Sequence, residues 1–110
     1  FADPPYNIGK NFAGCKDKWD TDEAYLDWCY KWLDMCVRKL KPNGAFYVMT
    51  STQFMPYFDI FLRNKLTILS RLVWEKKVFS NRKRISQADK CDVVFCIGCL
   101  RNNSKFTSIY

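Results

Sequence analysis

The residues that most restrict how this chain can fold are two consecutive prolines near its beginning, Pro4 and Pro5. They follow Phe1 and Ala2, two apolar residues typical of the end of a buried strand. Proline cannot donate to a sheet ladder and fixes its own φ, and Pro5 also drives Pro4 toward an extended conformation. We therefore predict a stiff elbow, residues 3–7, at the carboxyl end of a strand, where open α/β sheets bind ligands.

The elbow should bring three recognition groups together: the Asp3 carboxylate, the Pro4 carbonyl and the Tyr6 ring. Two hydrogen-bond acceptors beside a flat ring suit a planar molecule that carries an exposed amino group. The alternative interpretation is a strand that ends in a Pro-Pro turn with an exposed tyrosine.

Residues 7–19 have no clean hydrophobic period and contain two glycines, so we predict an irregular loop there. Loops of this length often carry function. Asn7, Lys10 and Lys16 are candidates for phosphate contact, although solvated loop charges are the commoner explanation.

A helix is predicted over residues 23–40, with Asp20 as its N-cap and Glu23 closing a capping box. Apolar residues recur there at three- and four-residue steps, which indicates one buried stripe. Its members are Leu26, Cys29, Tyr30, Leu33, Cys36, Val37 and Leu40.

Strands and a second helix follow the Pro42-Asn43-Gly44 turn. Residues 45–50 are mostly apolar without alternation, as expected for a strand of a parallel sheet that is covered on both faces. Ser51 or Thr52 can cap a helix over residues 53–65, with Pro56 near its start. The remaining predicted strands are residues 67–74 and 92–100.

The charge of the chain favours a polyanionic partner. The 18 basic and 11 acidic residues give a net charge of +7, which suits nucleic acid, although a solubilising surface is the alternative. We interpret the densest positive stretch as a phosphate-contacting loop, with a solvated basic loop as the alternative. Its members are Lys76, Lys77, Arg82, Lys83 and Arg84.

Six cysteines, no histidine and no signal peptide favour a reduced, cytoplasmic protein. Cys96 and Cys99 form a C-x-x-C in a strand-like run, where the two thiols would face opposite sides, so we expect no metal site. No apolar stretch approaches the roughly 20 residues that span a bilayer, so no membrane association is expected.

The residues Asp3-Pro4-Pro5-Tyr6-Asn7 resemble the catalytic motif of the DNA amino-methyltransferases, which use S-adenosyl-L-methionine to methylate adenine N6 or cytosine N4. The motif is most similar to that of the subgroup whose catalytic half precedes its cofactor half. Residues 40–48 and the segment Trp74-Glu75-Lys76 also resemble the corresponding family segments, whereas residues 88–92 lack the family's His-Glu.

This resemblance implies an α/β fold, half of a Rossmann-like S-adenosylmethionine-dependent methyltransferase fold with a mostly parallel sheet and an antiparallel last strand. It implies that Asp3, Pro4, Pro5 and Tyr6 are catalytic and that Asp3 and Pro4 also adjoin the cofactor. Tyr6 would stack on a base flipped out of double-stranded DNA. The other implied base or DNA contacts are Asn7, Trp74 and the five basic residues of the positive stretch.

The glycine-rich Phe-x-Gly-x-Gly segment of the family is absent, because the four glycines lie far apart. We therefore predict that residues 1–110 are one catalytic half-domain, without cofactor loop or target-recognition domain and inactive alone. Its exposed sheet edge would need the rest of the enzyme or an oligomeric partner to cover it.

The expected function is site-specific DNA methylation, most simply at adenine N6 in a restriction-modification system. One alternative is an inactive truncated remnant that binds nucleic acid. Another is a related methyltransferase acting on RNA or protein amides, against which Asp3 argues because Asn more often stands there.

Overall fold

A computed structural model describes residues 1–75 and 93–101. The elements are β1 (Asn11–Phe12), β2 (Cys15–Lys16), α1 (Asp22–Lys39), β3 (Ala45–Ser51), α2 (Met55–Arg63), β4 (Leu66–Glu75) and β5 (Val93–Arg101). The two helices and three strands predicted between residues 23 and 100 are confirmed, each with limits within two residues of the predicted ones, whereas β1 and β2 were not predicted.

The main sheet has the strand order β3-β5-β4, with β5 antiparallel to both neighbours. The antiparallel last strand is therefore confirmed, whereas a mostly parallel sheet is not what the described strands show. Strands β3 and β4 run in the same direction, but β5 lies between them, so they never pair with each other. The parallel contact seen among the described residues is a bridge between Ala2 and Val48.

Only the second of the two initial apolar residues behaves as the end of a strand. The Ala2 N–H donates to the Tyr47 carbonyl at 2.8 Å, and the Met49 N–H donates to the Ala2 carbonyl at 2.9 Å. Phe1 is 81% exposed, so the expectation that it ends a buried strand is wrong. The bridge places the elbow directly beside β3.

The hydrophobic core lies on one face of the sheet, against both helices. Along β3, Phe46 and Val48 are buried, whereas the alternating residues Ala45 and Tyr47 are exposed. The expected coverage of this strand on both faces is therefore wrong for the described residues. The buried cluster consists of Tyr25, Leu26, Cys29, Leu33, Phe46, Val48, Phe54, Phe58, Leu62, Leu66 and Ile97.

At the N-terminus of each helix, the capping residue differs from the predicted one. Thr21, not Asp20, caps α1, because its hydroxyl accepts from the Ala24 N–H at 3.1 Å. With Thr21 as N-cap, Glu23 stands one position too early to close a capping box, and it contributes instead to the acidic first turn that favours the helix dipole.

Helix α2 begins after Phe54 without a side-chain cap, so the predicted cap by Ser51 or Thr52 is wrong. Strand β3 continues through Ser51, and the helix begins two residues later than predicted. Pro56 lies in the first turn, as predicted, where its missing N–H leaves no hydrogen bond unmade.

Candidate active site

The elbow, residues 3–7, leaves the sheet directly after the bridge at Ala2. The Tyr6 hydroxyl donates to Asp3 Oδ1 at 2.5 Å, so the carboxylate and the ring are adjacent, as predicted. Asn7 has a φ of 58°, in the left-handed region that asparagine tolerates better than most residues. The elbow therefore ends in a sharp turn that sends the chain away from the sheet.

Two buried side chains that the sequence analysis did not select hold the elbow backbone. The Tyr25 hydroxyl donates to the Pro5 carbonyl at 2.6 Å. The Asp17 carboxylate accepts from the Tyr6 N–H at 3.1 Å and from the Asn7 N–H at 2.7 Å. Burial raises the pKa of Tyr25 far above its ordinary value, so the phenol remains a hydrogen-bond donor.

The side chain of Asn7 joins the elbow to the start of α1. Its Nδ2 donates to Asp22 Oδ1 at 3.1 Å, and its Oδ1 accepts from the Trp19 N–H at 2.9 Å. Gln53 Nε2 donates to the other oxygen of Asp22 at 3.0 Å. Both polar groups of the Asn7 amide are thus engaged within the protein, where the resemblance implied a DNA contact.

The segment predicted as an irregular loop contains a short hairpin. Strands β1 and β2 pair antiparallel through Asn11 with Lys16 and Phe12 with Cys15. The connecting residues, Ala13 and Gly14, have φ angles of 45° and 88°, the positive values of a hairpin turn whose twist matches the strands. Two pairs are too few to produce a readable alternation, and Ala-Gly lacks the usual Asn-Gly or Asp-Gly signal.

A cavity of about 880 Å³ opens between the elbow, the hairpin and the end of β4. It brings together five predicted site residues: Asp3, Pro4, Pro5, Tyr6 and Trp74. The other lining residues, of which only Lys10 and Lys16 were considered from the sequence, are Phe1, Ile8, Lys10, Phe12, Cys15, Lys16, Asp17, Trp19 and Met49.

The predicted positive stretch lies outside the described part of the chain. Its members are Lys76, Lys77, Arg82, Lys83 and Arg84. Trp74, the last described neighbour of that stretch with a placed side chain, is 64% exposed at the cavity edge.

The sequence analysis did not select Tyr25 or Asp17. A sequence pattern could have identified Tyr25, but none identifies Asp17. Tyr25 stands four residues before Cys29 and eight before Leu33, which is the spacing of one helix face. Asp17 lies in an aperiodic segment, where no pattern distinguishes a buried carboxylate from a solvated one.

The described cysteines behave as small apolar side chains or surface groups. Cys29 is fully buried, and burial raises the pKa of its thiol to about 11. Within residues 1–75 and 93–101, no three potential metal ligands of the His, Cys, Asp or Glu type lie close enough to share an ion. In the same residues, no helix is long and apolar enough to cross a membrane.

Comparison with known proteins gives a consistent family. A family model described as DNA methylase matches residues 1–105. The DNA adenine methyltransferase YhdJ of Escherichia coli (strain K12) is 49% identical over 74 residues, 67% of this chain and 25% of that protein. The type II methyltransferase M.BamHI of Bacillus amyloliquefaciens is 37% identical over 78 residues, 70% of this chain and 18% of that protein.

Among solved structures, the crystal structure of M1.HpyAVI superposes with a TM-score of 0.49 at 20% identity, covering 91% of this chain and 42% of that one. The chain thus spans a quarter or less of the length of the two curated relatives named above.

Proposed function

The chain belongs to the DNA methylase family, and we propose that it carries the catalytic elbow of an enzyme that methylates an exocyclic amino group of a DNA base. The cavity carries this proposal, because Asp3, Pro4 and Tyr6 line it together with Trp74. Its volume of about 880 Å³ lies in the range of small-molecule sites, which is room for a nucleobase beside a second group.

In the proposed reaction, Asp3 and Pro4 position the amino group that is methylated. The lone pair of an exocyclic amino nitrogen is delocalised into the ring, which makes the nitrogen a poor nucleophile. The Asp3 carboxylate and the Pro4 carbonyl would accept hydrogen bonds from its two N–H groups and favour a pyramidal nitrogen. This is catalysis by orientation and preorganised charge, without a covalent enzyme intermediate.

The hydrogen bond between Tyr6 and Asp3 is compatible with this role. A carboxylate offers about four acceptor directions, so Asp3 can accept from the Tyr6 hydroxyl and from an amino group at the same time. The Tyr6 ring, which lines the cavity, would stack on a base that has been flipped out of the duplex. Trp74 would form the opposite wall.

The residues that line the cavity fit S-adenosyl-L-methionine, which supplies the electrophilic methyl group when bound. The Asp3 carboxylate and the aromatic side chains of Tyr6, Phe12 and Trp74 suit a cationic sulfonium, because both carboxylates and ring faces attract cations. Asp3 and the Pro4 carbonyl would adjoin the cofactor on the side of the base. Residues 1–110 would form one unit of this site, the catalytic half of the methyltransferase domain.

Contacts with the DNA backbone are proposed for two groups of positive residues. Lys10 and Lys16 line it directly, and phosphate contacts of this kind are independent of sequence. Lys76, Lys77, Arg82, Lys83 and Arg84 would extend this surface beyond the described residues.

We also propose adenine N6 as the target, since the relative that is 49% identical is named an adenine methyltransferase. A role in a restriction-modification system, in the cytoplasm, is proposed on the resemblance to a type II methyltransferase. The competing function is a remnant that binds nucleic acid without transferring a methyl group.

The deciding experiment replaces the carboxylate, Asp3→Ala, in the complete protein that contains this chain. Loss of methyl transfer is expected with DNA affinity retained, because Asp3 acts on the amino group and not on phosphate. Transfer is measured as N6-methyladenine and N4-methylcytosine in DNA digested to nucleosides. Asp27→Ala, which removes an exposed carboxylate from α1, is the matched control.

Retained turnover in Asp3→Ala contradicts the catalytic assignment, and DNA binding by an unmodified protein that transfers no methyl group supports the remnant.

The same binding assay, run over a salt series, tests whether the positive stretch contacts phosphate. Neutralising Arg82, Lys83 and Arg84 should weaken binding and flatten its salt dependence, since each phosphate contact contributes about 0.9 to the slope.

A further inference from the structure

The peptide bond between Pro5 and Tyr6 is held at both of its polar ends. Its carbonyl accepts from the Tyr25 hydroxyl at 2.6 Å, and its N–H donates to Asp17 Oδ2 at 3.1 Å. The other oxygen of Asp17 accepts from the next amide, that of Asn7, at 2.7 Å. Because the C=O and N–H of one peptide share a plane, these contacts fix the rotation of that plane.

Both supporting side chains are themselves immobilised by their surroundings. The Tyr25 ring is fully buried, with the rings of Trp19 and Phe54 at centroid distances of 4.9 and 4.6 Å. Asp17 is 5% exposed, and its own backbone is paired into the base of the hairpin. There, the Gly9 N–H donates to the Asp17 carbonyl at 2.6 Å, and the Asp17 N–H donates to the Lys10 carbonyl at 2.8 Å.

These contacts restrain a backbone rotation that the two prolines leave open. The rings of Pro4 and Pro5 fix φ at both positions, and Pro5 also restricts ψ of Pro4, but no ring restricts ψ of Pro5, whose rotation moves the whole of Tyr6. The direction in which the Tyr6 ring faces, and the reach of its hydroxyl to Asp3, therefore depend in part on ψ of Pro5. Tyr25 and Asp17 hold that angle from opposite sides.

We infer that Tyr25 and Asp17 are positioning residues for methyl transfer, which set the Tyr6 ring against the base by fixing the Pro5–Tyr6 peptide plane. The inference rests on the proposed function, because it assigns the two residues a task in that reaction. Neither residue touches the amino group in this scheme. Both act through Tyr6.

The test uses Tyr25→Phe and Asp17→Asn in the complete protein that contains this chain. Each change keeps the approximate shape of the side chain. Tyr25→Phe removes the hydroxyl that donates to the Pro5 carbonyl, and Asp17→Asn replaces one of the two acceptor oxygens with an NH2 group that cannot accept from an amide N–H. We expect kcat to fall about 10- to 100-fold, the scale associated with misplacement of about 1 Å, while KM for DNA and for S-adenosylmethionine stays within about 2-fold. Steady-state kinetics and a thermal unfolding curve are recorded for each variant.

Matched controls separate this effect from the general cost of each substitution. Tyr30→Phe removes a phenol from the same helix, where the ring stacks on Phe61. Asp27→Asn removes an exposed carboxylate of α1. Both controls should keep kcat within about 2-fold of the unmodified protein, since neither residue contacts the elbow in the described structure.

A double variant gives a second readout that a purely structural role would not produce. Because Tyr25 and Asp17 act on one peptide plane, the fall in kcat for the double variant should be smaller than the product of the two single falls. A multiplicative fall would show two independent effects and contradict the inference.

The outcomes distinguish this inference from the proposed function. If Asp3→Ala abolishes transfer while Tyr25→Phe and Asp17→Asn keep the kcat of their controls, the positioning role is wrong and the function stands. A lowered unfolding temperature with unchanged kcat, or a raised KM with unchanged kcat, overturns the inference in the same way. If Asp3→Ala retains transfer, the proposed function itself fails.

Discussion

The elbow and the helix–sheet body are held together by different kinds of contact. In the body, buried apolar side chains of α1, α2 and the sheet form one continuous cluster. In the elbow, residues 3–7, every side chain is half-buried or exposed, and the contacts that hold its shape are hydrogen bonds. Tyr25 belongs to both regions, because its ring lies in the core and its hydroxyl holds the elbow.

This difference separates the source of stability from the source of precision. Apolar burial contributes free energy roughly in proportion to area and has no preferred direction. A hydrogen bond contributes only about 1 kcal/mol net, but it fixes a distance and an angle. The body therefore supplies most of the stability, and the polar contacts of the elbow decide where Asp3 and Tyr6 stand.

The largest effect on stability is expected from a truncation in the body, Phe58→Ala. Phe58 is fully buried on α2 with its ring edge toward Trp32 at a centroid distance of 6.1 Å. We expect the free energy of unfolding to fall by about 3–5 kcal/mol, measured by urea denaturation. The adjacent Tyr57→Ala, whose side chain is 49% exposed, should cost about 0.5 kcal/mol.

Equal losses for Phe58→Ala and Tyr57→Ala would show that the apolar cluster is not the main source of stability. The helix–sheet body would then not differ from the elbow in the way described above.

A smaller effect is expected where a polar contact lies inside the body. Asp59 on α2 is 6% exposed and forms ion pairs with Arg63 and with Arg71 of β4, so it joins the helix to the sheet. Asp59→Asn should lower the free energy of unfolding by about 1–3 kcal/mol at neutral pH, because it weakens charged hydrogen bonds. Asp34→Asn is the control: it removes the charge from a more exposed pair of salt bridges and should cost less than Asp59→Asn, because solvent screens exposed pairs.

The pH dependence of the Asp59 effect follows from the direction of its pKa. The hydrogen bond from Arg71, followed by that from Arg63, holds the pKa of this carboxyl below its ordinary value. Its stabilising contribution is therefore complete above the unfolded pKa, about 3.9, and is lost as the pH falls through the lower folded value. The difference between the unmodified protein and Asp59→Asn should be constant from pH 7 to about 5 and shrink in more acidic solution. A difference that grows toward acid would contradict this assignment.

The smallest expected effect is a difference in the reactivity of two cysteines in the unmodified protein. Cys15 is exposed in the hairpin, whereas Cys29 is buried in the core with a pKa raised to about 11. At pH 8 the thiolate fraction of Cys29 is about one in a thousand, because the pH lies about three units below that pKa. Iodoacetamide should modify Cys15 in the native protein and Cys29 only in urea, as read by peptide mass spectrometry. Equal native rates would show that the core opens as readily as the hairpin.

Local chemistry made several features predictable from the sequence. Proline restricts the backbone through its own ring, so the elbow could be placed at residues 3–7 without any tertiary information. The helices and strands predicted between residues 23 and 100 were also correct, because helical periodicity and apolar runs mark elements of this length, whereas the apolar run of β3 did not reveal its exposed face. The cap of α1 was wrong by one residue, since Asp20 and Thr21 are both good caps and only the folded backbone chooses between them.

Contacts between distant parts of the chain could not be read in the same way. Asp17 reaches the elbow across ten or eleven positions, and Tyr25 reaches it across twenty. Trp74 meets the same cavity from the end of β4. Asn7 was proposed to contact the base or DNA, and nothing in the sequence indicated that its amide forms hydrogen bonds with Asp22 and Trp19.

The sequence by itself determined the order of α1, β3, α2, β4 and β5 and the acceptor groups of the elbow, because these depend on covalent geometry and on periodicities a few residues long. The tertiary structure decided that β5 lies between β3 and β4, that Ala45 and Tyr47 of β3 are exposed in the described part of the chain, and that Asp17 and Tyr25 hold the Pro5–Tyr6 peptide. Strand neighbours and directional hydrogen bonds join residues that only folding brings together, and no local pattern records them.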